Sequence, residues 1–545
     1  MRFSIVFLSF SFIFWTAGVL LSELNYRYAG IEVVEEPLFS GGEKLRLQSF
    51  GIDISEREYP GYISICNREC LNRMAYINID SYLARCPLLY LSPIKGKGLV
   101  GIMGEGVDFS KNWLYLDIEP SDYEPFFYPL TSIGKIVICY GGPEVASSWF
   151  SSVELMNIPV RREQPITGVF LSDGNFNTER YRFYTDFSVP HLNTSVGGER
   201  NLTSGFGRYP NTSYGSLSVS SIATSDWLEI PVDFVYSGGV VNRYSDEEFD
   251  MGYKLISVKP RFNCDGSVSP FIRFAYLSGE AVSPDALYDI GGGLRFGSGD
   301  NLTFLPTFSI RDLGGQRIYN FSSDLLLRDE GMYLISCRSD YISYNNKRIA
   351  IGLSGSFFTN SNIVPFVSCM GDLWVDGNRK KDSIIGGVRL YIPDRMRLQI
   401  FMRSSNILEE RKNCAGLESD IILWRGFRVR ASGYKCFSDI PYISNYVVNG
   451  YFGFDREIVN EINPFAYLGI SRYGSWLQSY EANKAEEPRS EPYTNISLSA
   501  GLTIGSFEVF ANFDNLLNTE ITDEEGSYPP EPRNYQFGIN WKFLN

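Results

Sequence analysis

Histidine is almost missing from this chain: His191 is the only one. Metal ligation by a histidine cluster is thereby excluded by count. Any Ser–His nucleophile pair would have to use this one residue, with Ser188 and Asn193 near it in sequence. No nucleophile motif surrounds it, so it reads as a loop histidine following Pro190. Long apolar runs are also lacking. Beyond the N-terminus no stretch approaches the ~18 apolar residues of a spanning helix, and mean hydropathy is only −0.12. Basic residues are outnumbered, giving a net charge of −14, which argues against nucleic acid as a partner because a phosphate backbone needs a basic surface. The acidic clusters Asp246, Glu247, Glu248 and Asp250, and Asp523 to Glu525, fall where loops are expected and read as solvated charge. The nine cysteines form no CxxC pair and no zinc-like spacing. In an oxidising compartment some can pair, and an odd total leaves at least one unpaired. One motif tempts: Gly96-Lys-Gly-Leu-Val-Gly101 spells GxGxxG. A dinucleotide site needs a strand before it and a helix after it. Here Pro93 interrupts the approach and Gly104, Gly106 and Val107 stand where the helix should begin, so these glycines read as turn residues.

What is present points to β structure. Aromatics make up 15% of the chain, with 35 Tyr and 39 Phe, and there are 51 Gly; that mix suits many strands joined by tight turns. Met1 to Leu21 carries an early basic residue, Arg2, then an apolar run, and reads as a secretory signal peptide over 1–22. From Pro165 onward alternating segments recur. In the last one Tyr535, Phe537, Ile539, Trp541 and Phe543 share one parity, against Gln536, Gly538, Asn540 and Lys542. Period two places the two sets on opposite faces of a sheet. In a soluble sandwich the aromatic face packs inward, whereas in a membrane barrel it faces lipid. The same alternation sets Ile349, Ile351, Leu353 and Phe357 on one face, Arg182 and Asp186 opposite Tyr181, Phe183 and Phe187, and Arg428 and Arg430 opposite Phe427 and Val429. Charges on strands that otherwise face lipid are costly unless their parity faces a wet lumen. Arg182, Arg428 and Arg430 are therefore the lumen candidates.

The chain's end carries a more specific signal. Phe507-Glu-Val-Phe-Ala-Asn-Phe-Asp-Asn-Leu-Leu-Asn518 is followed by an acidic loop, by Pro530-Glu-Pro-Arg533 and by the aromatic-terminated strand. This order resembles the C-terminus of TonB-dependent outer-membrane receptors, although Leu544 and Asn545 follow Phe543, where those barrels usually stop on Phe. Residues 59–163 resemble the same family's plug. Tyr62-Ile-Ser-Ile-Cys66 reads as a strand, Asn67-Arg-Glu-Cys-Leu71 as the start of a capped helix, and Asp80-Ser-Tyr-Leu-Ala-Arg-Cys-Pro87 as the plug helix. Trp113-Leu-Tyr-Leu-Asp117, Ile133 to Pro143 and Val153 to Val160 follow in the family's order. Three hallmark positions differ: Ile102-Met-Gly104, Asp117-Ile118 and Tyr140-Gly-Gly142.

The resemblance implies a mainly β fold, a transmembrane antiparallel barrel of about 22 strands around a small α+β N-terminal plug domain. Its parts would be a signal peptide (1–22), an extension (23–58), the plug (59–165) and the barrel (166–545). That barrel leaves roughly 17 residues per strand and connection, so its loops are short. The extension holds Ile31, Glu32, Val33, Val34 and Glu35, which resemble the short box that adds as a strand to the coupling protein TonB. The implied function is uptake of a scarce solute (a metal chelate, cobalamin or a glycan) by energy-coupled plug rearrangement, with no catalytic role and no cofactor. The implied partners are TonB, the small-molecule solute and outer-membrane lipid around a monomer in a Gram-negative cell. Two alternatives stand beside it: an uncoupled, porin-like plugged barrel, and an outer-membrane barrel hydrolase working through His191.

Overall fold

The structure, a computed structural model, describes residues 165–544 except for short stretches at strand connections and residues 476–490 and 520–532. Before residue 165 it describes 58–67 and the strand segments 44–47, 52–55, 89–92, 99–102, 114–115, 120–121, 135–140 and 151–156. The expected signal peptide, the box Ile31–Glu35 and the expected helices after Asn67 and at Asp80–Pro87 lie outside the described residues.

From Ile166 to Leu544 each strand hydrogen-bonds antiparallel to the one before it in sequence, and the first pairs with the last, Ile166 opposite Leu544 and Gly174 opposite Gln536. Closure leaves no unpaired edge, the one way a sheet can cross a bilayer without orphaned backbone groups. The result is a closed barrel of 22 strands. Glu248–Val258 and Arg261–Phe262 count as a single strand, since both pair with Leu228–Asn242 on one side and Val268–Gly279 on the other. The break falls at Pro260, which has no N–H to give to the ladder. Strand lengths run from 8 residues (Phe507–Asp514) to 15 (Leu228–Asn242), bracketing the ~9–11 that a tilted spanning strand needs.

The two faces are inverted relative to a soluble β protein. Ile351 is 57% exposed and Leu353 54%, while their neighbours Ser354 and Ser356 are buried. Tyr181 and Phe183 point outward, and Arg182 and Asp186 inward. In the closing strand Tyr535 and Trp541 face out, and Asn534, Gln536 and Asn540 face in. Large apolar side chains outside and polar ones inside identify the outer surface as lipid-facing. Among the described residues the buried cations are arginines (Arg180, Arg182, Arg389 and Arg403), the side chain whose planar, weakly hydrated head suits buried pairing.

Connection lengths give the barrel its sidedness. The rim where the barrel chain begins and ends has short turns such as 190–191, 225–227 and 505–506. The opposite rim carries the longest connections, 474–492 and 515–533. Outer-membrane barrels keep short turns on the periplasmic side, so the rim holding Ile166 and Leu544 faces the periplasm. Aromatic contacts Trp227–Phe262, Phe296–Phe304 and Phe507–Trp541 lie toward that rim, where ring side chains anchor a barrel at the headgroup level.

Upstream of the barrel, a five-stranded sheet has the order Tyr62–Asn67, Lys135–Tyr140, Ser151–Met156, Leu114–Tyr115, Pro120–Ser121. It is mixed: Leu114–Tyr115 runs parallel to Ser151–Met156. Two hairpins stand apart from it, Lys44–Leu47 with Ile52–Ser55 and Leu89–Ser92 with Leu99–Ile102. The second takes in the end of the GxGxxG stretch, so a strand stands where a nucleotide fold would need a helix.

Candidate functional site

The functional interest lies where the lumen wall holds the segment Glu58–Ser64. Period two decides which wall residues can reach it. On Met396–Ile407 the lumen parity carries Arg397, Gln399, Phe401 and Arg403; on Glu410–Ile422, Cys414, Gly416, Glu418 and Asp420; on Phe427–Cys436, Arg428, Arg430, Tyr434 and Cys436.

Three arginines grip the segment along its length. Arg328 Nη2 lies 3.2 and 3.1 Å from the two carboxylate oxygens of Glu58, and the Ser356 hydroxyl donates to the Glu58 carbonyl. Arg389 Nη1 donates to the Tyr59 carbonyl at 2.7 Å, its Nε donates to Gln399 Oε1 at 2.9 Å, and its guanidinium stacks 4.5 Å from the Phe366 ring centre. Arg397 Nη2 donates to the Ile63 carbonyl at 2.7 Å. A backbone carbonyl accepting from a guanidinium makes a charge-assisted bond, stronger than a neutral one.

Glu418 is the centre of this grip. Its carboxylate accepts from the Tyr62 hydroxyl at 2.6 Å and from Ser64 Oγ at 3.2 Å. It also pairs with Arg430 Nη2 at 3.1 Å and Arg397 Nη1 at 3.5 Å. A buried carboxylate is tolerated only when paired and hydrogen-bonded; here two wall cations and two strand hydroxyls meet that condition together. Rings complete the contact: Tyr62 packs 4.8 Å from Phe401 and 5.0 Å from Tyr140, and the Arg403 guanidinium lies 5.7 Å over Tyr140. The sheet's other face is apolar. Tyr59, Ile63, Ile65, Val137 and Cys139 share a core cluster with wall residues that include Leu305, Leu326, Leu334 and Met370.

Of the residues picked out by alternation, Arg430 belongs to this centre. Arg428 stands two residues away and binds Asp420 through two bonds of 2.7 and 2.8 Å. Arg182 joins a separate cluster, with Glu199 at 3.4 Å and the Phe170 ring 5.0 Å away. All three arginines thus have acids of the barrel wall as ion-pair partners. His191 is exposed in the turn between two strands, in a left-handed conformation (φ 68°), with Nδ1 3.1 Å from the Thr224 carbonyl. Sequence reasoning missed Arg328, Arg389, Arg397, Glu418 and Tyr62. Charges on the inward parity of strands were a usable signal for the first four.

A closed barrel with a lipid-facing exterior and a strand held by its inner wall is an integral outer-membrane β-barrel. Solved structures share this fold. The ferric-catecholate import receptor Fiu of E. coli K12 superposes with a TM-score of 0.71 at 10% identity, covering 90% of this chain and 97% of that one. The siderophore receptor PiuA of Acinetobacter baumannii gives 0.73 at 8%, covering 92% and 100%. FpvA of P. aeruginosa, in its complex with a pyoverdine and iron, gives 0.69 at 11%, covering 91% and 88%. No protein-family model and no curated protein matches the sequence.

Proposed function

We propose that this chain is an energy-coupled outer-membrane receptor that imports a chelated metal, iron foremost, with residues 59–165 acting as a plug. The observation that carries the reading is the grip on Glu58–Ser64. A wide barrel that devotes Arg328, Arg389, Arg397 and Glu418 to holding an upstream strand in its lumen is built to be obstructed. An obstructed lumen does not conduct freely, and an outer membrane has no nucleotide at hand to drive reopening. The work must arrive as a pull on the chain upstream of Glu58, where the sequence Ile31–Glu35 resembles the box that adds as a strand to TonB. Among a metal chelate, cobalamin and a glycan, the fold likeness to the receptors Fiu, PiuA and FpvA supports an iron chelate.

The test is uptake of radiolabelled ferric catecholate and ferric hydroxamate by Gram-negative cells whose own receptors are deleted. This chain should restore uptake of one chelate, and removal of residues 31–36 or of TonB should abolish it. Uptake indifferent to both deletions would establish the uncoupled barrel instead, and the altered positions Met103, Ile118 and Gly141 would be the first place to seek the reason.

A further inference from the structure

Two cysteines face each other across neighbouring barrel strands near the outer rim. Cys414 and Cys436 are direct partners in the register between Glu410–Ile422 and Phe427–Cys436, both are buried on the lumen side, and their thiols are in hydrogen-bond contact. The ladder fixes which kind of pair they are. The Phe437 amide donates to the Asn413 carbonyl at 2.9 Å, so the adjacent 413/437 pair is the hydrogen-bonded one. The Cys436 amide turns the other way and donates to Asn445 at 2.8 Å. Cys414 and Cys436 therefore form a non-hydrogen-bonded pair, whose Cα atoms stand about 4.5 Å apart with side chains at their closest. That separation lies inside the roughly 4.4–6.8 Å range a disulfide spans.

We propose that Cys414 and Cys436 are a disulfide site, oxidised by a periplasmic disulfide-carrying oxidoreductase before the barrel closes. In the folded barrel both sulfurs are shut away from any protein oxidant. In the exported chain only the connection 423–426 separates the two strands, so forming this hairpin alone brings the thiols together. Hairpins close in about 1–10 μs, long before a barrel assembles. One cysteine, as thiolate, attacks the oxidant's disulfide and expels one of its sulfurs as a thiolate. The second cysteine, as thiolate, then attacks the mixed disulfide, forms the Cys414–Cys436 bond and releases the oxidant's other sulfur. Two electrons and the two thiol protons pass to the oxidant, which leaves as a dithiol.

The bond has a structural consequence. Glu418 and Asp420 lie on one strand of this hairpin and Arg428 and Arg430 on the other. A slip of one residue between the strands would turn one of these pairs toward lipid while the other stayed in the lumen. A covalent link between Cys414 and Cys436 pins the register that keeps all four in the lumen.

The test uses full-length protein extracted from outer membranes without reductant, denatured in N-ethylmaleimide, digested and weighed. The expected result is a cross-linked peptide pair holding Cys414 and Cys436, two hydrogens lighter than the sum of its parts, with neither residue labelled. Reduction first should leave both labelled, as should expression in cells lacking the periplasmic oxidase. Labelling of both residues without reductant would overturn the proposal, and so would a link from either to Cys66, Cys139 or another cysteine. The Cys414→Ser/Cys436→Ser double variant tests the register role. It should convert to the unfolded gel mobility at a lower temperature than the oxidised wild type; equal conversion temperatures would refute the pin.

Discussion

The Tyr62 hydroxyl donates to Glu418 across 2.6 Å, joining the first strand of the upstream sheet to a barrel strand 356 residues further along the chain. The carboxylate is shared. The wall needs it to offset Arg397 and Arg430, and the strand needs it for Tyr62 and Ser64. Holding and releasing the strand therefore changes the surroundings of a buried charge.

Tyr62→Phe keeps the ring that packs on Phe401 and Tyr140 and removes only the hydroxyl. A hydrogen bond to a charged group contributes about 1.5–3 kcal/mol. The variant should fold into the same barrel, lose stability in that range in urea titrations, and show more frequent conductance openings in planar bilayers. Wild-type conductance would mean that this bond does not hold the lumen shut.

Glu418→Gln leaves Arg397 and Arg430 without their carboxylate. Breaking a buried ion pair on one side costs about 3–5 kcal/mol. Removing Arg430 as well takes away one of the stranded charges, so Glu418→Gln/Arg430→Gln should be destabilised by less than the sum of its single changes, with a coupling of about 0.5–3 kcal/mol. Strict additivity in a double-mutant cycle of unfolding free energies would refute the pairing.

On the outer face, Ile351 lies midway along Lys347–Phe357 and is 57% exposed. Arginine at the bilayer midplane of a barrel costs about 2–4 kcal/mol. Ile351→Arg should refold poorly into lipid vesicles, while Ile351→Leu refolds like wild type. Equal yields would move this face off lipid.

The alternation legible in Tyr181, Arg182 and Phe183, or along Tyr535 to Phe543, was enough to assign faces, because the period is a property of each strand alone. It placed Arg182, Arg428 and Arg430 on the lumen parity without the structure. It did not reveal which of them share a site. Arg430 meets Glu418 while Arg182 meets Glu199, and that depends on the stagger of strands around a closed barrel, where a one-residue shift in any ladder moves every later row. Arg389 and Arg397 were harder still, since each gives a 2.7 Å bond to a backbone carbonyl of the upstream segment. A carbonyl leaves no trace in side-chain pattern. Tyr62 read simply as the start of a strand, because its partner lies hundreds of residues away and nothing local to Tyr62 announces a buried hydroxyl.

Gly416 offers a way to loosen the grip without touching a charge. A Cβ built there would lie 2.2 Å from Cζ of Phe401 and 2.6 Å from its Cε1, so the ring occupies the space a side chain would need. The same ring lies 4.8 Å from Tyr62 and is almost wholly buried. Gly416→Val must therefore push Phe401 aside, and overpacking of this kind costs about 1–3 kcal/mol. Because Phe401 is the floor on which Tyr62 rests, the displaced ring also moves the hydroxyl away from Glu418. The variant should lower the urea midpoint and increase bilayer conductance together, as Tyr62→Phe does, and combining the two changes should add little further conductance. Gly371 is the matched control: it lies in another barrel strand, and a Cβ there meets no atom within 4 Å. Gly371→Val should leave both readouts at wild-type values. A Gly416→Val barrel that is less stable but no leakier would show that Phe401 supports the wall alone, and that the hold on Tyr62 comes from Glu418 without help from the ring.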